Sequence, residues 1–377
     1  MPGNFAENPI TNLCSEVPKS VYGREEIRET MENEKRKLTI DVIIPVYKPG
    51  AEFRKLLVML QKQTYPVNQI IVLNTEEKYW NGVWEKKLQN LVLRHIKKEE
   101  FDHGKTRQQG VELSKADVFL CMTDDAVPAD THLIGRIMEG FSLRGPLGEV
   151  PAVVYARQLP DKTSGPIERY TRHFSYPNKA LVKTAADLPR LGIKTYMASN
   201  VCCAYRREIY DRQGGFVYPA IFNEDMVFAG RAVQAGYAVV YQAGARVIHA
   251  HNYSGRQQFH RNFDLGVSQA DYPDVFSGVP SEGEGIRLVK QTARYLVRSK
   301  KPWLLFDLVI KSSCKYAGYL LGKHYRSLPG WIIRCCTMNP IYWENIGGFA
   351  VQKHGSEKHG WKKDERKSLS KESREIR

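Results

Sequence analysis

Residues 38–50 read LTIDVIIPVYKPG. The run from Leu38 to Tyr47 is apolar and rich in β-branched residues. It is interrupted by Pro45 and closed by Pro49-Gly50. That pattern predicts a buried strand followed by a turn. The next eighty residues repeat the theme. Phe53, Leu56, Leu57 and Leu60 have helical spacing within 53–63, and 69–73 is a second apolar strand. Residues 84–91 read as helix, 92–96 as strand, 104–114 as helix and 117–122 as strand. Strands of about five residues alternating with helices of about ten predict βαβ units. The fold class expected is α/β, Rossmann-like, with a mainly parallel central sheet flanked by helices. Further along, 152–156 and 238–241 read as strands and 225–235 as helix.

The chain has 377 residues and a formal net charge of +15. An excess of that size concerns partners, not fold: nucleic acid, an anionic membrane, or a substrate carrying phosphate. The charge is concentrated. Between Ile286 and Arg334 stand eleven Lys or Arg and a single acid, Asp307. Arg287, Lys290, Arg294 and Arg298 share one helical face, opposite Val289, Ala293, Leu296 and Val297. Trp303, Phe306, Tyr316, Tyr319 and Trp331 are interleaved with further basic residues. This composition suits an amphipathic helical extension lying on anionic lipid, although helices packed on the main domain with a solvated basic face would also read this way. No apolar run reaches the roughly 18–20 residues that a membrane span needs. The seven cysteines are odd in number and lack a CxxC pair, and MPGNFAENPI has neither a basic n-region nor an apolar h-region. A cytoplasmic location is expected.

Four segments carry candidate chemistry. In CMTDDAVPAD (121–130), Asp124 and Asp125 end an apolar strand. Adjacent carboxylates at a strand end suit Mg²⁺ or Mn²⁺, which take one or two carboxylates and fill the remaining positions with water and phosphate; an isolated pair is more often a solvated loop or helix cap. FDHGKTRQQG (101–110) puts Lys105 and Arg107 in the first turn of a helix, whose free N–H groups would favour phosphate. FNEDM (222–226) puts Glu224 and Asp225 at another helix start, where Asp225 could be a cap or a general base. His249 and His251 follow a strand at a spacing of two, on one face.

Taken in order, DVIIPVYK, FDHGKTRQQG, FLCMTDDAVPAD, DRQGGF, FNEDMVFAGRAVQAGY and VIHAHNYS resemble the family 2 glycosyltransferases with the GT-A fold. Within that family they look most like bacterial rhamnosyltransferases of surface polysaccharide synthesis. The resemblance spans roughly 39–254 and implies roles for individual residues. Pro45 and Tyr47 would cradle the nucleotide base. Asn74 would contact the nucleoside, at a position where the family often carries Asp. His103, Gly104, Lys105 and Arg107 would lie on the nucleotide side, with Gln108 where Asn is frequent. Asp125 would bind the metal and Asp124 would lie near the ribose or a metal-bound water. His249 would complete the metal site, with His251 in reserve. Asp225 would be the base, and Glu224 would orient it or the acceptor. Ser199, Asn200 and Gly215 would meet acceptor or donor sugar.

The activity implied is inverting transfer of a sugar from a nucleotide sugar, dTDP-L-rhamnose or a UDP-sugar, to a glycan or lipid-linked glycan. A UDP-hexose or UDP-HexNAc donor is the alternative within the family. A basic nucleic-acid-binding protein and a non-catalytic membrane scaffold are the alternatives outside it, and no nucleic-acid module is recognisable. The expected organisation is a polar leader (1–36), a catalytic domain (37–280), a basic helical extension (281–350) and a charged disordered tail (351–377). The location implied is the inner face of the plasma membrane.

Overall fold

The structure is a computed structural model that describes residues 37–279 and 282–347. The leader and tail foreseen from the sequence lie outside the described residues. The N-terminal half follows the reading closely. Strand β1 (Ile40–Tyr47), helix α1 (Ala51–Gln61), β2 (Ile70–Thr75), β3 (Leu91–Ile96), α2 (His103–Leu113) and β4 (Val118–Met122) appear in that order. β1 lies between β2 and β4, and all these pairings are parallel. The alternation within β1 explains its composition. Ile40, Val42 and Ile44 pack with Phe53, Leu56 and Leu60 of α1, whereas Ile43 joins Val111 of α2 on the other face. A strand covered on both faces reads as a continuous apolar run. Asp41 is buried within it, where its carboxylate accepts from Asn68, the Gln69 amide and Ser114. The helix foreseen over 84–91 is only one short turn, Val83–Lys87.

The second half departs from a parallel plan. β5 (Val127–Pro128), α3 (Leu133–Gly140), β6 (Pro151–Leu159), α4 (Pro166–Ser175) and β7 (Leu181–Lys183) precede β8 (Cys202–Arg206), α5 (Glu224–Gln234) and β9 (Ala238–Ile248). The strand order is β3-β2-β1-β4-β8-β6-β9-β5, with β7 also on β9. β8 runs antiparallel to both β4 and β6, and β9 returns parallel to β6. "Mainly parallel" therefore describes the first half, and the whole sheet is mixed. The inversion has a positional consequence. The start of β8 lies beside the end of β4, with Met122 opposite Cys202, and Cys203 sits opposite Tyr155 in the middle of β6.

The C-terminal helices are α6 (Gly255–Asp271), α7 (Glu282–Arg298) and α8 (Leu304–Lys323), followed by two short helices, Gly330–Cys336 and Pro340–Asn345. α8 lies almost backbone to backbone on α6. A Cβ on Gly318 would come within 2.2 Å of the Phe259 carbonyl oxygen, and one on Gly322 within 2.0 Å of that of Phe263. Only glycine permits this approach. Asp264 of α6 accepts from Thr337 Oγ1 and the Met338 amide, which ties the last helices down. α7 stacks Tyr295 on Tyr170 of α4. It buries Leu296 but leaves Val297 of its foreseen apolar face exposed.

Candidate active site

The inversion of β8 gathers the sequence motifs at one edge of the sheet. Thr123–Asp125 follow β4, Ser199 and Asn200 precede β8, Gln158 lies at the end of β6, and His249 and His251 follow β9. A chain of contacts links them. His249 Nε2 is 3.5 Å from Asp125 Oδ1, and His251 Nε2 is 3.2 Å from Asp125 Oδ2. On its other side His249 Nδ1 is 3.2 Å from Gln158 Oε1. Gln158 Nε2 donates to Ser199 Oγ at 2.9 Å. One residue on, the Asn200 amide donates to Asp225 Oδ2 at 2.8 Å.

The Asp125 end fits a divalent cation. Gln158 is oriented by its neighbours, because Nε2 donates to Ser199 and Oε1 accepts from Arg172. Oε1 must then also accept the proton on His249 Nδ1. That assigns the tautomer and turns the lone pair of Nε2 towards Asp125, so two acceptors face each other without a proton between them. A buried hydrogen-bond acceptor for the far ring nitrogen is the usual support of a metal-binding histidine. Burial pushes the imidazole of His249 down to about 3 despite the nearby Asp125 charge, so the ring is neutral near pH 7. Burial also works against ionisation of Asp125, but the hydrogen bonds with His251 and Thr123 outweigh burial and hold the carboxyl below its usual range. One atom from each of Asp125, His249 and His251 lies within 4.8 Å of the others. Asp124 is different. Burial first, and then the Asp125 charge, push it up to about 6, although it accepts from the Tyr47 amide.

At the other end, Glu224 and Asp225 open α5, just after Asn223 in the left-handed region at φ 62°. Asparagine tolerates that conformation better than most residues. Glu224 is buried and meets Arg107 Nη1 at 2.9 Å and Asn200 Nδ2 at 2.9 Å. Burial opposes its charge, but Arg107 and His103 hold its carboxyl down. Asp225 lies beside this fixed negative charge. Burial and then Glu224 push it up to about 7. Its hydrogen-bond partners are the amides of Asn200 and Met226, at 2.8 and 2.7 Å, and among the described residues no cation is within ion-pair distance of it. It is part-exposed, a carboxylate poised to accept a proton.

The other expected residues divide. Tyr47 is exposed at the end of β1, edge-on to Tyr79 with Lys48 over both rings, beside the parallel Pro45–Leu73 pairing. Asn74 is fully buried; its amide reaches Glu76 O and His95, and its Oδ1 has no partner among the described residues. Other readings are corrected. The amides at the start of α2 are not free for phosphate, because Asp102 caps the Gly104 and Lys105 N–H groups at 2.9 and 2.8 Å. Arg107 is buried against Glu224 and the His103 carbonyl and does not project as a surface cation; Lys105 remains exposed. Burial holds His103 down to about 4. Gly104 is needed for contact, since a Cβ would stand 1.9 Å from Val217 O. Asn200 has both side-chain ends engaged, by Glu224 and by Tyr205 Oη, so it holds the acidic pair in place and offers nothing to a sugar. Gly215, at φ +75°, packs against Gln108 and Tyr210, which explains it by backbone conformation.

Sequence reading missed Gln158, Arg172, Asp102 and Lys183. Asp102 alone had a local signal, an acid before a helical run. Lys183 is buried on β7. Its Nζ donates to the carbonyls of Lys194 and Met197 at 2.9 and 2.6 Å, bracing the loop that delivers Ser199 and Asn200.

The profile described as Glycosyl transferase family 2 matches residues 41–214. The O-antigen chain rhamnosyltransferase RfbN of Salmonella typhimurium is 37% identical over 82% of this chain and 97% of its own length. The O-antigen chain rhamnosyltransferase WbaN of Salmonella anatum is 34% identical over 81% and 96%. Among solved structures, the mannosyltransferase PcManGT from Pyrobaculum calidifontis, in complex with GDP-Man and Mn²⁺, aligns at TM-score 0.47 and 14% identity, covering 85% of this chain and 89% of its own.

The electrostatics of the acidic pair can be tested by titration. Glu224→Gln removes the like charge beside Asp225 and frees Arg107 to act on it. The Asp225 carboxyl, followed by NMR, should then titrate about one unit or more below its wild-type value. An unmoved or higher value would contradict the coupling.

Proposed function

The chain belongs to glycosyl transferase family 2, and from that premise we propose that it moves L-rhamnose from dTDP-L-rhamnose to a growing, lipid-linked surface glycan with inversion at the anomeric carbon. The carrying observation is the unbroken path of contacts from Asp125 through His249, Gln158 and Ser199–Asn200 to Asp225. It puts a cation site and a base of raised pKa in one framework. The identity to two rhamnosyltransferases along nearly their whole length supports the choice of sugar.

In this reading Asp125 and His249, with His251 beside them, hold Mg²⁺ or Mn²⁺. When bound, the cation offsets negative charge building on the departing diphosphate. Asp225 accepts the proton of the acceptor hydroxyl as its oxygen bonds to the anomeric carbon and the bond to the diphosphate oxygen breaks. A carboxyl near 7 is a better base than an ordinary aspartate. Glu224 and Arg107 keep it so placed. Tyr47 and Pro45 would meet the nucleotide base, buried Asn74 would brace the strand end beside them through Glu76 and His95, and Ser199 would stand between the cation ligands and Asp225. Asp225 acts as its anion, so activity is lost as pH falls through its folded pKa.

We further propose that the enzyme works on the inner face of the plasma membrane. No helix among the described residues is long and apolar enough to cross a bilayer. The C-terminal helices nonetheless expose Trp303 (68%), Phe306 (75%) and Trp331 (70%), with Val309 and Ile310. Exposed Arg298, Lys300 and Lys323 accompany them. Aromatic and basic side chains together suit an anionic interface, each charge contributing about 1 kcal/mol.

Four outcomes are expected. In a panel of sugar nucleotides with Mg²⁺ or Mn²⁺, dTDP-L-rhamnose should be turned over, with an acid limb near neutral pH. Asp225→Asn should lower transfer by about 10²–10⁴-fold while donor binding stays nearly unchanged; turnover of UDP-hexoses alone would discard the sugar but keep the class. Mn²⁺ binding, followed by electron paramagnetic resonance, should be lost in Asp125→Ala and weakened about 10–100-fold in Gln158→Leu; undiminished binding in Asp125→Ala would move the cation elsewhere. Finally, the protein should sediment with phosphatidylglycerol vesicles but not phosphatidylcholine vesicles, and Trp303→Ser with Phe306→Ser should abolish this. Equal binding by that double variant would remove the membrane assignment.

A further inference from the structure

Lys183 is a cation buried without a charged partner among the described residues. It ends β7, the three-residue strand on the flank of β9, where Val239 lies opposite it. Only 2% of the residue is exposed. Its Nζ donates to the carbonyls of Lys194 and Met197 at 2.9 and 2.6 Å and to Tyr155 Oη at 3.3 Å, and stands 4.8 Å from the centre of the Tyr155 ring. All three acceptors are neutral. Asp187, which favours the charge from farther off, is engaged by the Thr184 amide and by Arg190. Burial pushes the ammonium down to about 7; Cys203 and Asp187 act the other way, and Lys194 adds to burial. A buried cation held by neutral groups alone is costly, and an apolar side chain of similar length would fill the space at lower cost.

What the lysine returns is order in one stretch of backbone. Between the short 3₁₀ helix Gly192–Tyr196 and β8 no regular element intervenes. Lys194 O also accepts from the Met197 amide at 3.2 Å, and Ser199 O accepts from the Cys202 amide at 3.0 Å, so two tight turns follow each other. Lys183 binds both ends of the first. The second opens with Ser199 and Asn200. The Asn200 amide meets Asp225 Oδ2 at 2.8 Å, and its side chain meets Glu224 Oε1 at 2.9 Å. Burial and Glu224 raise Asp225; the Asn200 amide leads the influences that lower it, ahead of Arg107 and the Met226 amide. Tyr176, Tyr205, Cys121 and Cys203 also lie within electrostatic reach of Asp225, and burial keeps each of them neutral.

We propose that Lys183 is a positioning residue for the reaction: by holding the 194–197 turn it fixes the Asn200 amide on Asp225, and so sets how readily that carboxylate takes a proton. This rests on reading Asp225 as the base and adds a residue that acts through others. Without the Lys183 donors two buried carbonyls lose a partner, and the turn must shift to find water. Asn200 is three residues on. The Arg107–Glu224 pair and the Arg172–Gln158 contact are made by other elements and remain.

The readout is the Asp225 carboxyl, titrated by NMR in the full chain without substrate. In Lys183→Met its midpoint should rise by about one unit or more, the effect of losing a hydrogen bond to a charged acceptor. The Asn200 amide should exchange with solvent about 10-fold faster or more. Mn²⁺ binding at Asp125 should stay as in wild type. The milder Lys183→Gln, shorter and able to satisfy one carbonyl at most, should move the first two readouts the same way by less, and it carries the test if Lys183→Met does not fold. A lower melting temperature with Asp225 titrating as in wild type, in whichever variant folds, would reduce Lys183 to a packing residue and overturn the inference. Failure of the base assignment looks different. There Asp225 would shift in the variant while the acid limb of sugar transfer stayed where it was, and Lys183 would still be what places the carboxylate.

Discussion

The contact on which the site depends is the buried ion pair between Arg107 of α2 and Glu224 of α5. Both groups are almost fully removed from water, and each alone would be a heavily penalised charge; breaking such a pair commonly costs about 3–5 kcal/mol. Together, with Asn200 completing the hydrogen bonds of Glu224, they form a fixed dipole inside the protein. Asp225 is placed against its negative end. A carboxyl there cannot ionise as easily as one in water, and so becomes a usable proton acceptor near neutrality. Two helices far apart along the chain are clamped there.

The Asp125 end of the site is organised on a similar principle by different means. Here the support is neutral. Arg172 orients Gln158, Gln158 holds the proton of His249, and the ring nitrogen facing Asp125 is left as a lone pair. Gln158 also bonds Ser199, so the support of the imidazole and the loop that positions Asp225 share one side chain. Lys183, buried beneath that loop, keeps its carbonyls satisfied and the loop in one conformation.

The C-terminal helices join this framework from outside. The close approach of α8 to α6 through Gly318 and Gly322 means that the helix bearing the exposed aromatic strip is locked to the helix that starts just past His251. The exposed aromatic strip and the candidate site are therefore held at fixed separation by packed helices.

Much of this was legible in the sequence. Strands β1 to β4, with α1 and α2, announced themselves by local periodicity and by the proline and glycine that end them. The motifs TDD, NED and HAH could be placed at strand and helix ends for the same reason. Resemblance of the ordered motifs added their chemistry. What the sequence could not fix was everything set by distant pairing. CCAYR carries no mark of direction, yet its antiparallel course alone brings Ser199 and Asn200 to the edge where Asp125 ends its strand. HGKTR reads as a phosphate-binding helix start, until Asp102 is seen to occupy those amides and to accept from Ala220, 118 residues away. Periodicity and turn chemistry are properties of neighbours along the chain. Which charge is buried against which, and which nitrogen of His249 holds the proton, depend on residues that only the folded sheet brings together.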